Sequence, residues 1–127
     1  MKQHWLGTVR WEIVEETNRL LCIPNQAFHG PTSDGYTPTK NLWLAHHKNE
    51  MRLIDAIELC RQCHRLAPFC NYNGNTFTAI MRQQLATIEL PGDQIALLRS
   101  LAGHVIAGVA TTEEETDLQK AIQQFFS

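Results

Sequence analysis

Residues 46–74 read HHKNEMRLIDAIELCRQCHRLAPFCNYNG, a stretch that holds three of the four cysteines and three of the six histidines of the chain. Cys60 and Cys63 form a Cys-x-x-Cys pair, the spacing with which two thiolates reach one tetrahedral ion. His64 follows directly, and the other candidate ligands of this stretch are His46, His47 and Cys70. The stretch therefore predicts a metal site, occupied by zinc or another divalent ion.

Residues 50–65 are predicted to form the helix that carries the Cys-x-x-Cys pair. Ile57, Cys60 and His64 follow one another at the spacing of a single helix face, and Asn49 suits the N-cap position. That face either points jointly at a metal or completes the apolar stripe of the helix.

Length and composition predict one domain, residues 1–127. A chain of 127 residues with 43% hydrophobic residues can bury one core of ordinary size. The formal charge of −2, with 19% charged residues, argues against a strongly basic nucleic-acid or membrane-surface binder. Basic residues outnumber acidic ones between positions 40 and 65, so a phosphate-bearing partner is expected near the cysteines. The N-terminal sequence has neither a signal peptide nor a membrane-spanning run, which predicts a cytoplasmic location and no membrane partner.

Residues 1–47 are predicted to be rich in β-structure. Residues 8–14, TVRWEIV, alternate apolar and polar side chains, and residues 20–23 form a short apolar run, so the two segments are expected to pair as a hairpin. Residues 41–46 are expected to form a third strand that ends at His46 and His47. Cys22, in the second strand, is either a small buried side chain or a further metal ligand.

Residues 24–40 are predicted to form a long loop, because they contain three prolines and two glycines and have no periodicity. Such a loop either lies on the surface or lines a site. If it lines a site, Phe28, His29 and Tyr36 are the candidate contacts.

Residues 76–127 are predicted to be helical throughout. Apolar residues recur at helical spacing in three segments, and Thr112 with Glu115 has the spacing of a capping box for the last of them. His104 is interpreted as a hydrogen-bonded, partly buried side chain. The predicted fold is α+β, with a β-rich region (1–47), the His/Cys cluster (48–75) and a helical half (76–127).

Three kinds of site fit the cysteines and histidines. Cys60, Cys63 and His64 match the haem-attachment pattern Cys-x-x-Cys-His by letter. A structural zinc could be closed by all four cysteines, or by three of them with His46 or His47. The third possibility is a catalytic metal site with an open coordination position.

The open site is suggested by a family resemblance in residues 46–65. The histidine doublet, followed by DAIELCRQCHR at residues 55–65, resembles the HNH (ββα-metal, or His-Me finger) nuclease motif. This resemblance implies that His46 and His64 bind the metal, that His47 is the general base, and that Arg61 or Arg65 contacts phosphate. A histidine base and a divalent ion are what phosphodiester hydrolysis needs.

Two functions are therefore predicted. The first is metal-dependent nucleic-acid hydrolysis of the HNH type. The alternative is a zinc-stabilised adaptor without catalytic activity that binds another protein.

Overall fold

A computed structural model describes residues 1–126 of the chain. Within them the secondary structure comprises six α-helices, one turn of 3-10 helix and two short strands. In chain order the elements are β1 (Lys2–Gln3), α1 (Trp11–Cys22), the 3-10 helix (Ile23–Asn25), α2 (Tyr36–His46), β2 (Met51–Arg52), α3 (Leu53–Leu66), α4 (Asn73–Leu85), α5 (Gly92–Ala107) and α6 (Thr112–Phe126). The protein is mostly helical, with a small antiparallel sheet.

The predicted N-terminal hairpin is wrong, because both of its strands fall largely within α1. The buried residues of α1 are Trp11, Val14, Asn18 and Cys22, whose spacings of three and four define one helix face. Ile13, which the strand pattern placed on the buried side, is 41% exposed. The segment TVRWEIV satisfies both periods over its short length, and the longer helical stripe decides between them.

The predicted third strand is also wrong, since residues 41–46 form the second half of α2. Thr39, Trp43 and His47 are buried at spacings of four along this helix and its C-cap. The predicted loop is shorter than expected, because α2 begins at Tyr36.

The sheet pairs the start of the chain with the residues just before α3. Lys2 lies opposite Arg52, and Gln3 lies opposite Met51, in antiparallel register. The predicted helix 50–65 is confirmed as α3, although Arg52 rather than Asn49 is its N-cap. The sheet therefore fixes the N-terminal end of the helix that carries Cys60 and Cys63.

The three predicted C-terminal helices are confirmed as α4, α5 and α6. The capping box of α6 lies one residue earlier than predicted. The backbone N–H of Glu114 donates to Oγ1 of Thr111, and Oε1 of Glu114 accepts from the N–H of Thr111, both at 3.1 Å. This reciprocal pair satisfies two amides at the beginning of α6.

One hydrophobic core draws side chains from all six helices of residues 1–126. Its largest fully buried side chains include Trp11, Trp43, Phe77, Leu98 and Leu118. The most extensive helix contact is that between α4 and α5, and both helices pack on α3. Within residues 1–126, no helix combines the length and apolar character needed to cross a bilayer.

Candidate functional site

The two thiols of the Cys-x-x-Cys pair are fully buried in the hydrophobic core. Burial raises the pKa of Cys63 to about 12 and raises that of Cys60 well above its usual range, to which the neighbouring Cys63 contributes. Without a bound metal, both side chains are therefore neutral thiols that complete the apolar stripe of α3.

The histidine doublet is divided between the core and the surface. His47 is 2% exposed; its Nδ1 lies 3.1 Å from the carbonyl oxygen of Leu6, and its ring stacks on Trp43 with centroids 5.8 Å apart. A carbonyl oxygen can only accept, so Nδ1 of His47 donates this hydrogen bond. His46 is exposed, with Nδ1 3.4 Å from the side-chain amide of Asn49. His47 thus tethers the end of α2 to the N-terminal segment.

The remaining cysteines lie beside the turn that precedes α4. Cys70 is exposed, whereas Cys22 is buried with its Sγ 3.7 Å from Oδ1 of Asn18 and 3.9 Å from the carbonyl oxygen of Asn71. Burial, and to a smaller extent Cys70, raises the pKa of Cys22. Among residues 1–126, no three His, Cys, Asp or Glu side chains form a group that could hold a metal ion. Zinc binding by this chain stays a prediction.

The predicted phosphate contacts occupy different surroundings. Arg61 reaches Oε2 of Glu58 at 3.7 Å and Oε1 of Glu115 at 3.8 Å, and so connects α3 with α6. Arg65, in the last turn of α3, is exposed.

The loop before α2 lies against α1 and Phe69. The hydroxyl of Tyr36 donates to Oε1 of Glu15 at 3.1 Å and accepts from Nε1 of Trp11 at 3.2 Å. His29 borders a shallow depression that is also lined by Glu16 and Phe69. A bridge between Pro31 and Phe69 holds the loop there. His29 and His46 line separate depressions.

A polar cleft of about 740 Å³ lies between the end of α3, the beginning of α4 and the C-terminal half of α5. His64, Arg82 and His104 line it, together with the turn of residues 71–75. Among residues 1–126, the lining of this cleft contains one guanidinium and two imidazoles but no carboxylate. The cleft therefore offers positive and polar groups to a ligand.

Both imidazoles of the cleft are anchored through Nδ1. Nδ1 of His64 lies 2.8 Å from the carbonyl oxygen of Ile106, and Nδ1 of His104 lies 2.5 Å from Oε2 of Glu114. Because a carbonyl or carboxylate oxygen accepts the bond, each Nδ1 carries the proton. In the neutral ring, Nε2 then holds the free lone pair. The side chain of His104 is 43% exposed, which confirms its interpretation as hydrogen-bonded and partly buried.

The contact with His104 lowers the pKa of Glu114. The hydrogen bond from His104, followed by that from the amide of Thr111, holds the pKa of Glu114 below its usual range. Glu114 therefore stays ionised and fixes the orientation of the His104 ring.

The first turn of α4 faces His64 without a side-chain cap. Its N-cap residue, Tyr72, has φ +59° and ψ +32°, a left-handed conformation that is costly for a bulky side chain. Gly74 leaves room for the imidazole, since a Cβ there would lie 3.0 Å from Cε1 and 3.1 Å from Nε2 of His64. The uncapped amides add the positive end of a helix dipole to the cleft.

A second glycine makes room for Arg82. A Cβ at Gly103 would overlap the guanidinium of Arg82, whose Nε donates to the carbonyl oxygen of Arg99 at 3.1 Å. A glycine inside a helix costs roughly 1 kcal/mol relative to alanine, so its presence indicates a close approach. Gly103, immediately before His104, was the sequence signal for this cleft.

The sequence prediction of a site near the cysteines placed only His64 among the residues of this cleft. Arg82 and His104 were missed because they belong to segments interpreted as scaffold. Comparison of the chain with protein-family models, with curated proteins and with solved structures found no match.

Proposed function

We propose that the protein binds a phosphate ester in the cleft between α3, α4 and α5 and cleaves it by acid–base chemistry. The observation that carries this proposal is the Glu114–His104 hydrogen bond, which leaves Nε2 of His104 as the free nitrogen of a ring that lines the cleft. A carboxylate that orients a histidine is the arrangement that general-base catalysis uses.

The binding half of the proposal rests on charge. Arg82 presents a guanidinium, which can hold two phosphate oxygens at once. The uncapped first turn of α4 borders the same cleft, and amides at a helix N-terminus favour an anion. The lining in residues 1–126 includes no carboxylate that would repel the ligand.

The chemical half assigns roles to two imidazoles. Nε2 of His104 accepts a proton from the attacking water or hydroxyl, whose oxygen forms a bond to phosphorus. The bond from phosphorus to the leaving oxygen breaks, and that oxygen takes a proton from His64 in its cationic form or from solvent. Tyr72, which also lines the cleft, offers an aromatic surface to a base, so the favoured substrate is a nucleotide or a single-stranded nucleic acid.

The proposal keeps the predicted substrate class but assigns the chemistry to different residues. Metal-dependent hydrolysis of the HNH type, in which His46 and His64 bind a divalent ion and His47 is the general base, stays a prediction of the resemblance. The two mechanisms differ in the histidine that matters, His47 or His104, and in the requirement for a metal.

The test combines binding and turnover. Wild-type protein is titrated with inorganic phosphate and with a nucleoside monophosphate by NMR, and is assayed on an activated phosphodiester and on single-stranded DNA and RNA, with and without divalent metals. We expect Arg82→Gln to weaken phosphate binding by roughly tenfold or more. We expect His104→Ala to lower turnover by about 10² to 10⁴ while phosphate still binds.

Each control replaces an exposed residue of the same type outside the lining of the cleft. Arg99→Gln removes a neighbouring exposed arginine while keeping the carbonyl that Arg82 contacts, and His46→Ala removes an exposed histidine outside the cleft. Neither control should change binding or turnover under the proposal. Wild-type protein that binds no phosphate and cleaves no substrate would rule it out, whereas loss of activity in His46→Ala would favour the HNH mechanism.

Protein binding is a second candidate, favoured by exposed apolar side chains at the end of α1. Leu20, Ile23 and Phe28 are 58%, 49% and 83% exposed. The carbonyl oxygen of Phe28 accepts from the side-chain amide of Asn71 at 3.0 Å, so the backbone that presents its ring is held in place. A zinc-stabilised adaptor stays a prediction. The adaptor function would be supported if a Phe28→Ser variant kept the melting temperature of wild type but no longer bound a protein partner that wild type binds.

A further inference from the structure

The three tryptophans of the chain differ in how their indole N–H groups are satisfied. Nε1 of Trp11 donates to the hydroxyl of Tyr36 at 3.2 Å, and Nε1 of Trp43 donates to the carbonyl oxygen of Val9 at 2.8 Å. Within residues 1–126, Nε1 of Trp5 is buried and has no partner. A buried donor without a partner is costly, so this N–H is a group on which an acceptor would be stabilising.

Trp5 lines a cavity of about 560 Å³ between the N-terminal segment, the beginning of α3 and α6. Its apolar lining includes Leu53, Ile54, Ile122 and Phe126. The volume falls in the range of about 300–1,000 Å³ typical of small-molecule sites, which are mostly apolar with few polar groups. This cavity shares no lining residue with the polar cleft of His104.

The polar groups at the edge of this cavity carry little free charge. The guanidinium of Arg52 is already paired with the carboxylate of Asp55, with Nε 2.8 Å and Nη2 3.1 Å from its oxygens. The other polar lining residues, Gln119 and Gln123, have neutral amides. Among the side chains of the lining, an anionic ligand would therefore find no unpaired cation to offset the hydration that it loses.

We propose that this cavity binds a small, uncharged, mostly apolar molecule that carries one carbonyl oxygen, and that this oxygen accepts a hydrogen bond from Nε1 of Trp5. The ring of Phe126 packs edge-on against Trp5, with centroids 5.8 Å apart and planes at 89°. Phe126 lies in the last turn of α6, where local opening requires little energy, so it can move to admit the carbonyl. The ligand class is a neutral ketone, ester or similar compound.

The experiment uses three small probes of matched shape, namely acetophenone, ethylbenzene and benzoate. They are titrated into the full-length protein, and the indole N–H resonances are followed by ¹⁵N NMR. We expect acetophenone to shift the Trp5 resonance saturably while those of Trp11 and Trp43 stay unchanged, because their donors already have partners. Acetophenone should bind roughly fivefold more tightly than ethylbenzene, and benzoate more weakly than either.

Two variants separate the hydrogen bond from the cavity. Trp5→Phe keeps an aromatic wall and should abolish the preference for acetophenone over ethylbenzene. Ile122→Gln should weaken both probes, whereas Ile13→Gln, at an exposed isoleucine of α1, should change neither.

The wild-type titration alone can overturn the proposal, whatever the stability of the variants. The absence of a saturable Trp5 shift, or equal shifts of all three indoles, would show that the cavity does not recognise the carbonyl group. Tighter binding of benzoate than of acetophenone would replace the neutral ligand class with an anionic one and would equally reject the proposal.

Discussion

The side-chain amide of Asn18, buried in α1, donates to the carbonyl oxygen of Asn71 at 2.7 Å. The same Nδ2 lies 3.1 Å from Oγ1 of Thr76, whose hydroxyl donates to the carbonyl oxygen of Tyr72 at 2.7 Å. One buried side chain on α1 therefore contacts both the turn that precedes α4 and the first turn of that helix. The network includes the carbonyl oxygen of Tyr72, the residue whose backbone is left-handed.

Removing the Asn18 amide should destabilise the fold and loosen the turn. We expect Asn18→Leu to lower the free energy of unfolding by about 1–3 kcal/mol, because the carbonyl of Asn71 loses its donor. Urea unfolding measures the loss, with Leu20→Ala as the exposed control on the same helix. An Asn18→Leu variant as stable as the control would show that the network contributes nothing to folding.

The four cysteines should differ sharply in reactivity. Cys70 is exposed, whereas Cys22, Cys60 and Cys63 are buried and have raised pKa values. Because the thiolate is the reactive form, a chromogenic disulfide reagent should react quickly with one thiol in the native protein and with four in urea. Cys70→Ser should remove the fast reaction.

The same assay tests the predicted zinc site. If Cys60 and Cys63 are neutral core thiols, a chelator leaves their slow reaction unchanged. If two further thiols react quickly with the reagent after the chelator is added, Cys60 and Cys63 hold a metal.

His47 is expected to contribute to stability. His47→Ala removes its hydrogen bond to Leu6 and its stacking on Trp43, and should lower the free energy of unfolding by about 2–4 kcal/mol. The exposed neighbour His46 is the control, and His46→Ala should change stability by about 0.5 kcal/mol or less. A His47→Ala variant with unchanged stability but lost turnover would support its role as a general base.

The Glu114–His104 contact predicts a pH dependence. The pKa of Glu114 is lowered in the folded protein, so the ionised carboxylate favours folding. This contribution is fully present above the unfolded-state pKa of about 4.3 and is lost as the pH falls through the lowered folded-state pKa. We expect the melting temperature of wild type to exceed that of Glu114→Gln at neutral pH, and the difference to shrink in acid.

The control for this pH profile is Glu113→Gln, an exposed carboxylate in the same turn of α6. Its melting temperature should follow that of wild type across the whole range. A Glu114→Gln profile parallel to that of wild type would mean that the lowered pKa has no effect on folding.

The helices of the C-terminal half could be predicted from the sequence because their signals are local. Apolar residues recur at helical spacing in α3 to α6, and Pro91 and Gly108 stand just outside the two ends of α5. The secondary structure of the N-terminal half could not be predicted from local signals. Residues 8–14 are too short to distinguish the period of a strand from that of a helix. The burial of Asn18 and Cys22 further along α1 shows that the segment belongs to a helix.

The sequence by itself was sufficient to predict that residues 76–127 are mostly helical and that the side chain of His104 is hydrogen-bonded and partly buried. Only the tertiary structure decided that Cys60 and Cys63 face the core, and that His64, Arg82 and His104 line one cleft. Periodicity shows which face of a helix is apolar, but not which helix packs against that face. The cleft arises where Gly74 and Gly103 let two side chains from other helices approach closely, and that approach depends on packing between segments distant in the chain.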